Sequence, residues 1–390
     1  MRVLYITSKP VYPSVDGGTL ASQRFLESLD AAEIAIKHFS IGTEKHPFDA
    51  SKYPESIRNR FSVEGLNIKT AVNPLKAFFA LFKKGSYNVK RFYSKDVETK
   101  LIEIIQNDSF DAIIFDSLFT SPYLEAIKSN WSGKTILRAH NVESDIWRAY
   151  GISTNGLKGK YIRRLAKDLC IYERSITEHF DVILTISQAD TERFAVLGIS
   201  TPCVHIPVSI NVTENQMDYS ANSPYHLGSM EWEPNIEAVN KLIELFPKIR
   251  EKAEDSTLFI AGNKAKETVK ANGVVKVDGF VECPTTYGKS KGILLSPIQS
   301  GSGIRIKILE AMAMGVPVLT TTIGALGIDH QTTHCLEIAD TDEEFVQKAQ
   351  TLINTQSVRE EIGRNASEYI RKNHNIEAIS QRLVEVIESK

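Results

Sequence analysis

Along the chain, short apolar runs alternate with longer stretches whose apolar positions recur three and four residues apart. RVLYIT (2–7), AIIFDS (112–117), KTILRAH (134–140) and DVILTIS (181–187) are strand-length and rich in β-branched residues, as parallel strands buried on both faces must be. LASQRFLESLD (20–30) and IRRLAKDLCIYERSITEH (162–179) have the spacing of helices laid over such a sheet. Part of the 45–100 region is less regular and reads as an insertion or a variable, acceptor-side stretch. Residues 206–224, IPVSINVTENQMDYSANSP, are polar, turn-rich and flanked by prolines, which predicts a hinge.

A second series follows: YHLGS (225–229), a helix from Asn235 to Phe246 with Asn235 as its N-cap, STLFIAG (256–262), GVVKVDG (273–279), KGILLSP (291–297), a helix from Ile304 to Met314, and PVLTT (317–321). The pattern predicts an α/β protein with a Rossmann-like domain over 1–205, a hinge over 206–224 and a second Rossmann-like domain over 225–375. The amphipathic stretch 376–390 is a C-terminal helix that can pack back on the first domain. Two such domains facing each other leave a cleft, where ligands preferentially sit.

A length of 390 residues suits two domains. A formal net charge of −2, from 46 basic and 48 acidic residues, offers no global field for gathering nucleic acid. Cys170, Cys203, Cys283 and Cys335 form neither a CxxC pair nor a Cys/His cluster, so neither zinc nor a disulfide framework is indicated, and a reducing cytoplasm fits. The first apolar run is broken by Lys9 and Pro10, too short for a signal peptide, and no later run reaches membrane length. Membrane contact would therefore be peripheral, at the inner face of the cytoplasmic membrane. Lys83, Lys84, Lys90, Arg91 and Lys95, interleaved with Phe79, Phe82, Tyr87, Phe92 and Tyr93, suit an anionic membrane or acceptor, or else a solvated helix face followed by packing aromatics.

Chemistry concentrates in SPIQSGSGIRIKILEAMAMGVPVLTTTIGALGI (296–328). Gly301 and Gly303 leave backbone N–H groups accessible, Arg305 and Lys307 add charge, and a helix N-terminus follows, together a diphosphate site. Glu310, three residues after Lys307, can pair with it or accept hydrogen bonds from both ribose hydroxyls. Asp16-Gly17-Gly18, before a helix, lets backbone approach a phosphate or sugar, or simply connects strand to helix.

The segment EAMAMGVPVLTT, with YHLGSMEWEPN, LFIAGN, VKVDGF, ILLSPI, the DGG turn and HNVE in order, resembles the family 4 retaining glycosyltransferases over nearly the whole chain. The resemblance implies a GT-B fold and transfer of a sugar, with retention of configuration, from a nucleoside-diphosphate sugar to a glycan, a lipid-linked glycan or a small-molecule hydroxyl. It implies further that His140 contributes a hydrogen bond near the donor sugar while the glycosidic bond breaks, with Arg138 and Glu143 contacting acceptor, orienting His140 or pairing with each other. Asn235, Gly228, Gly262, Asn263, Gly279 and Phe280 shape the nucleotide pocket, with Ser302, Gly303 and Ile304 beside the donor. Many members carry a glutamate eight positions before Glu310; here Ser302 stands there, so that role is missing or passes to a backbone group. Many also hold the diphosphate with an Arg and a Lys after the first strand of the second domain. Here that place reads GSMEWEPN, so Arg305 and Lys307 substitute, as in a subgroup with a G-x-G-x-R-x-K loop. No Asp-x-Asp motif calls for a metal, and no resident cofactor is expected. A nucleotide-sugar epimerase and a nonenzymatic nucleotide-sugar or glycan binding protein in a polysaccharide assembly complex are the competing readings.

Overall fold

The computed structural model describes residues 1–14, 16–71, 85–212, 217–301, 303–330 and 332–389. Contacts divide the chain into two units, Met1–Val208 with Glu377–Lys390, and Ser209–Ile376.

In the first unit, β1 (Arg2–Thr7), β2 (Ala35–Gly42), β3 (Glu64–Asn67), β4 (Ala112–Asp116), β5 (Lys134–Ala139), β6 (Val182–Thr185) and β7 (Cys203–His205) form one sheet among the described residues, in the order β3-β2-β1-β4-β5-β6-β7. Every pairing in it is parallel. The strands the pattern predicted at 2–7, 112–117, 134–140 and 181–187 are β1, β4, β5 and β6. Part of the irregular 45–100 stretch proves to be an edge strand, β3, whose four residues are partly or fully exposed and so lack an apolar signature. Helices α1 (Gly17–Ala31), α2 (Glu55–Arg60), α3 (Tyr87–Lys90), α4 (Lys95–Asn107), α5 (Leu124–Asn130), α6 (Glu143–Ser153), α7 (Gly156–Thr177) and α8 (Gln188–Val196) accompany the sheet. The start of α1 is fixed by Asp16, whose Oδ1 accepts from the Thr19 N–H at 2.8 Å while Thr19 Oγ1 accepts from the Asp16 N–H at 3.0 Å.

The second unit holds β8 (Ser223–Leu227), β9 (Leu258–Ala261), β10 (Val275–Gly279), β11 (Gly292–Ser296), β12 (Val318–Thr320) and β13 (Glu337–Ile338), parallel throughout, in the order β10-β9-β8-β11-β12-β13. Its helices are α9 (Glu233–Arg250), α10 (Ala265–Thr268), α11 (Pro284–Lys291), α12 (Ile306–Ala313), α13 (Asp342–Asn354) and α14 (Gln356–Asn373). Helix α9 begins two residues before the predicted Asn235: Trp232 is the cap residue and Pro234 occupies the first turn, where a missing N–H costs nothing. Asn235 lies inside the helix, leaving its amide for other work.

The last helix, α15 (Ile376–Glu388), returns to the first unit. Its Ile379, Leu383 and Ile387 join the core built from Val3, Tyr5, Leu26, Leu29, Ile114 and Leu184, and Ser380 Oγ donates to the Ser28 carbonyl at 2.8 Å. In each sheet the strand order reverses direction once, between β1 and β4 and between β8 and β11. In doubly wound sheets ligands bind beyond the strand C-termini at that switch point.

Candidate functional site

At the switch point of the first unit a pocket of about 160 Å³ is lined by Thr7, Ser8 and Lys9 after β1, Gly18, Thr19 and Ser22 on α1, Asp116 and Ser117 at the end of β4, and His140, Asn141 and Glu143 after β5, with Phe119. Gly18 reaches this pocket, whereas Gly17 starts the helix beside it. Lys9 pairs with Asp16 at 2.9 Å. Burial opposes ionisation of Asp16, but Lys9 and the Thr19 bonds overcome it and lower the pKa to about 2.

Asp116 organises the floor. Its Oδ1 accepts from Arg138 at 3.0 Å and from His140 Nε2, and its Oδ2 accepts from the Tyr5 hydroxyl. Arg138 also donates to the Ala21 carbonyl at 3.1 Å and lies 4.5 Å over the Phe25 ring. Burial works against the charge on Asp116, yet His140 and Arg138 hold its carboxyl well below the usual carboxylate range. His140 Nε2 is engaged by the Asp116 carboxylate and, at 2.7 Å, by the Arg138 guanidinium, which leaves Nδ1 for a ligand, and among the described residues that atom has no protein partner. Arg138 therefore pairs with Asp116, not with Glu143 as one sequence alternative had it. Glu143 instead faces Glu173 on α7, whose carboxylate accepts from the Glu143 and Ser144 N–H groups at 2.8 and 3.1 Å. Burial first, and the Glu173 charge second, push Glu143 up to about 8, so a protonated carboxyl borders the pocket at neutral pH. Ser117 holds φ 83°, ψ 150°, a conformation that costs a non-glycine residue roughly 1–3 kcal/mol and is tolerated where structure around it over-determines it.

In the second unit, β8 and β11 deliver a cationic cluster. Lys307 Nζ donates to Asn235 Oδ1 at 2.7 Å and to His226 Nε2 at 3.2 Å. His226 is buried, and its Nδ1 lies 2.9 Å from the Leu295 carbonyl. Burial, and then the Lys307 charge, hold its pKa well below the ordinary value. The imidazole is therefore neutral, with its proton on Nδ1 and a bare Nε2 to accept from Lys307. An ammonium has three N–H donors, so one remains to aim at a ligand. Burial, and then Arg305, lower Lys307 to about 7. Arg305, 5% exposed, donates to the Gly303 and Ser300 carbonyls at 3.0 and 3.2 Å and lies 5.2 Å over Trp232. Burial brings it down to about 10, so it stays a cation at neutral pH. Gly301 and Gly303 have φ of 94° and 77°, left-handed turns that fold the loop back so these carbonyls reach the guanidinium. Ile304 is partly exposed in this loop, and Ser302 lies outside the described residues. Glu310 lies one turn beyond Lys307 on α12 and is partly exposed. Its charge, after burial, helps raise the Tyr225 phenol.

Gly228, Gly262 and Gly279 end three adjacent strands. The Gly228 N–H donates to the Ala261 carbonyl at 3.0 Å and the Gly262 N–H to the Gly279 carbonyl at 2.7 Å. Gly262 has φ 134°, and a Cβ on it would come within 1.9 Å of the Gly228 carbonyl oxygen. Gly262→Ala is therefore expected to destabilise the second unit by about 1–3 kcal/mol, more than ordinary surface substitutions do, read by calorimetry as a lowered unfolding midpoint. Beside them Asn263 donates to Glu231 at 3.0 Å and Glu231 pairs with Lys264 at 2.9 Å, while Phe280 is 73% exposed.

The structure thus brings Asn235, Lys307 and His226 together in one unit and Gly18, His140 and Glu143 in the other. Sequence reasoning did not single out Asp116, Ser117, Lys9 or His226. An acid closing an apolar strand (Asp116) and a histidine inside one (His226) were the available signals. Where it is described, the cationic aromatic stretch is mixed: Phe92 packs against Phe119 at 4.8 Å, whereas Tyr93, stacked on Tyr123 at 5.9 Å, is exposed together with Lys90 and Lys95, the last of which pairs with Glu98. Phe79, Phe82, Lys83 and Lys84 lie outside the described residues. Among the described residues, no group of three or more His, Cys, Asp or Glu is placed to hold a metal ion.

Residues 223–355 match the family model described as Glycosyl transferases group 1. An uncharacterized 44.6 kDa protein in the cps region of Klebsiella pneumoniae is 23% identical over 392 residues, covering 96% of each chain. Among solved structures, the sucrose-phosphate synthase of Thermosynechococcus elongatus superposes with a TM-score of 0.72 at 12% identity, over 99% of this chain and 98% of that one. Anabaena HepE in complex with UDP-glucose gives 0.69 at 13% identity, over 100% of both chains. The two doubly wound sheets are those of the GT-B fold, and the second of them lies within the segment that matches the glycosyl transferase group 1 family.

Proposed function

We propose that the protein is a retaining glycosyltransferase that takes a sugar from a nucleoside-diphosphate donor and transfers it to a hydroxyl of a glycan or lipid-linked glycan. The observation that carries this reading is the Lys307 ammonium, held by two neutral partners, Asn235 and His226, with one N–H to spare. A part-buried cation whose hydrogen-bond partners are uncharged favours an anion, and a diphosphate supplies one. Arg305 adds the second charge, the glycine loop its backbone N–H groups, and Glu310 a carboxylate for the ribose hydroxyls. In the first unit, Gly18 and His140 Nδ1 offer hydrogen bonds to a sugar. The relative bound to UDP-glucose makes uridine diphosphate the first nucleotide to try.

In the proposed step the acceptor oxygen bonds to the anomeric carbon on the face from which the diphosphate leaves. The bond from that carbon to the phosphate oxygen breaks, and the departing diphosphate takes the acceptor proton. Lys307 and Arg305 stabilise the charge growing on it. Calorimetric titration with nucleoside diphosphates and their sugars, comparing wild type with Glu310→Ala, tests the donor site. Loss of a charged hydrogen-bond acceptor is expected to weaken binding roughly 10- to 150-fold. A folded wild-type protein that binds no nucleoside diphosphate would overturn the assignment.

A further inference from the structure

The bend of the α6–α7 hairpin presents an exposed surface whose residues do not line the pocket. The two helices are joined by Thr154 and Asn155, and they close tightly where Gly151 meets Arg163: a Cβ on the glycine would lie 2.9 Å from the arginine amide nitrogen. Between Ile146 and Lys167 the sequence has six basic residues, Arg148, Lys158, Lys160, Arg163, Arg164 and Lys167, and no acidic one, in a chain of net charge −2. All six are exposed. Asp145 and Asp168 flank the run and pair with Arg148 and Arg164 at 3.1 and 3.3 Å. Among the described residues, Lys158, Lys160 and Lys167 have no ion pair.

Large apolar side chains stand among these cations. Leu157 is 84% exposed and Ile152 67%, on either side of the bend, with Tyr150 beside them. On α7, Leu157, Lys160, Arg164, Lys167 and Ile171 follow at intervals of three and four and are all exposed, so they share one solvent-facing stripe. Ile162, Leu165, Ala166 and Leu169 turn inward. Charge alone would serve a soluble polyanion, which has no use for a leucine and an isoleucine held out at the bend. A bilayer surface uses both, cations at lipid phosphates and apolar tips at the acyl boundary.

We propose that the α6–α7 bend docks the protein on an anionic membrane, with Leu157 and Ile152 entering the headgroup region and the surrounding lysines and arginines meeting lipid phosphates. Among the described residues no helix is long and apolar enough to cross a membrane, so the contact is interfacial. It also has a geometric purpose. Helix α6 starts at Glu143, on the rim of the first unit's pocket, and its 11 residues end at the bend, about 16 Å away along the helix axis. The inference rests on the transferase reading in one respect: it makes the acceptor a membrane-anchored one, held within that distance of His140.

Co-sedimentation of the full-length protein with vesicles tests it. Vesicles of phosphatidylcholine mixed with phosphatidylglycerol are expected to bind the protein, and phosphatidylcholine alone is not. Leu157→Asp is expected to weaken binding about tenfold or more, and the paired change Lys158→Glu with Lys160→Glu to weaken it further at low salt. Both variants alter exposed side chains and should keep the wild-type melting curve and nucleotide affinity, so a failed docking surface is distinguished from a failed donor site. Absence of wild-type binding to the anionic vesicles would overturn the proposal. So would binding unaffected by Leu157→Asp but competed by dextran sulfate, which would mark a polyanion site.

Discussion

Asp116→Asn is expected to lower the melting transition of the first unit by roughly 6–20 °C in scanning calorimetry, the largest stability effect of any single substitution discussed for this chain. The asparagine keeps the shape and removes the charge. Arg138, 2% exposed, would then be a buried guanidinium without its carboxylate. Breaking one side of a buried ion pair costs about 3–5 kcal/mol, because the remaining charge is neither hydrated nor compensated, and a unit of this size loses about 2–4 °C per kcal/mol. The sign with pH follows from linkage. Asp116 is held well below its ordinary pKa in the folded protein, so its contribution is fully present above the unfolded value of about 4 and is lost as pH falls through and below it. The wild-type and Asp116→Asn midpoints should therefore be far apart at pH 7 and converge in acid. A Tyr5→Phe control removes one neutral donor to the same carboxylate and should cost about 1 kcal/mol. Equal midpoints for wild type and Asp116→Asn at pH 7 would show that Arg138 is compensated elsewhere.

The central strands were legible because burial on both faces leaves a continuous apolar run: β1, β4, β5, β6 and β11 are buried at nearly every position. The edges were not. Strand β2 carries Lys37 and His38 within an otherwise buried run, β3 is exposed and contains a glycine, and β7 is three half-buried residues. For the sites, residues next to glycines could be singled out from spacing, as Arg305 and Lys307 were, and His140 from the family resemblance. Their supports could not, because support is a property of distant pairs. Asp116 and His140 are 24 positions apart and Lys307 and His226 are 81. Asn235 illustrates the ambiguity in one residue. A polar side chain just after a proline reads as a cap, and only the fold shows its amide bridging the Ser229 carbonyl and Lys307.

Lys307→Met is expected to reduce kcat/KM for the nucleotide-sugar donor by about 10²–10³, the usual cost of removing one preorganised donor from developing oxyanion charge. The pH profile separates this role from a structural one. In the free protein, burial and then Arg305 place Lys307 at about 7, so the ammonium is present below that pH and lost above it. Wild-type kcat/KM, which reports groups of the free enzyme, should be level in mild acid and fall toward tenfold per unit as pH rises beyond about 7. A bound diphosphate favours the charged form, so the corresponding limb in kcat should move to higher pH. Lys307→Met should lack the limb altogether. Stability should move the other way: with a folded pKa below the unfolded value of about 10.4, the ammonium costs the fold free energy at neutral pH, a cost relieved as pH rises toward that value. Removing the charge therefore offsets much of the loss of its bonds to Asn235 and His226, and the variant should unfold within a few degrees of wild type. A large fall in midpoint, or a wild-type profile flat through pH 7–9, would mean that Lys307 braces the β8–β11 switch point without meeting the donor.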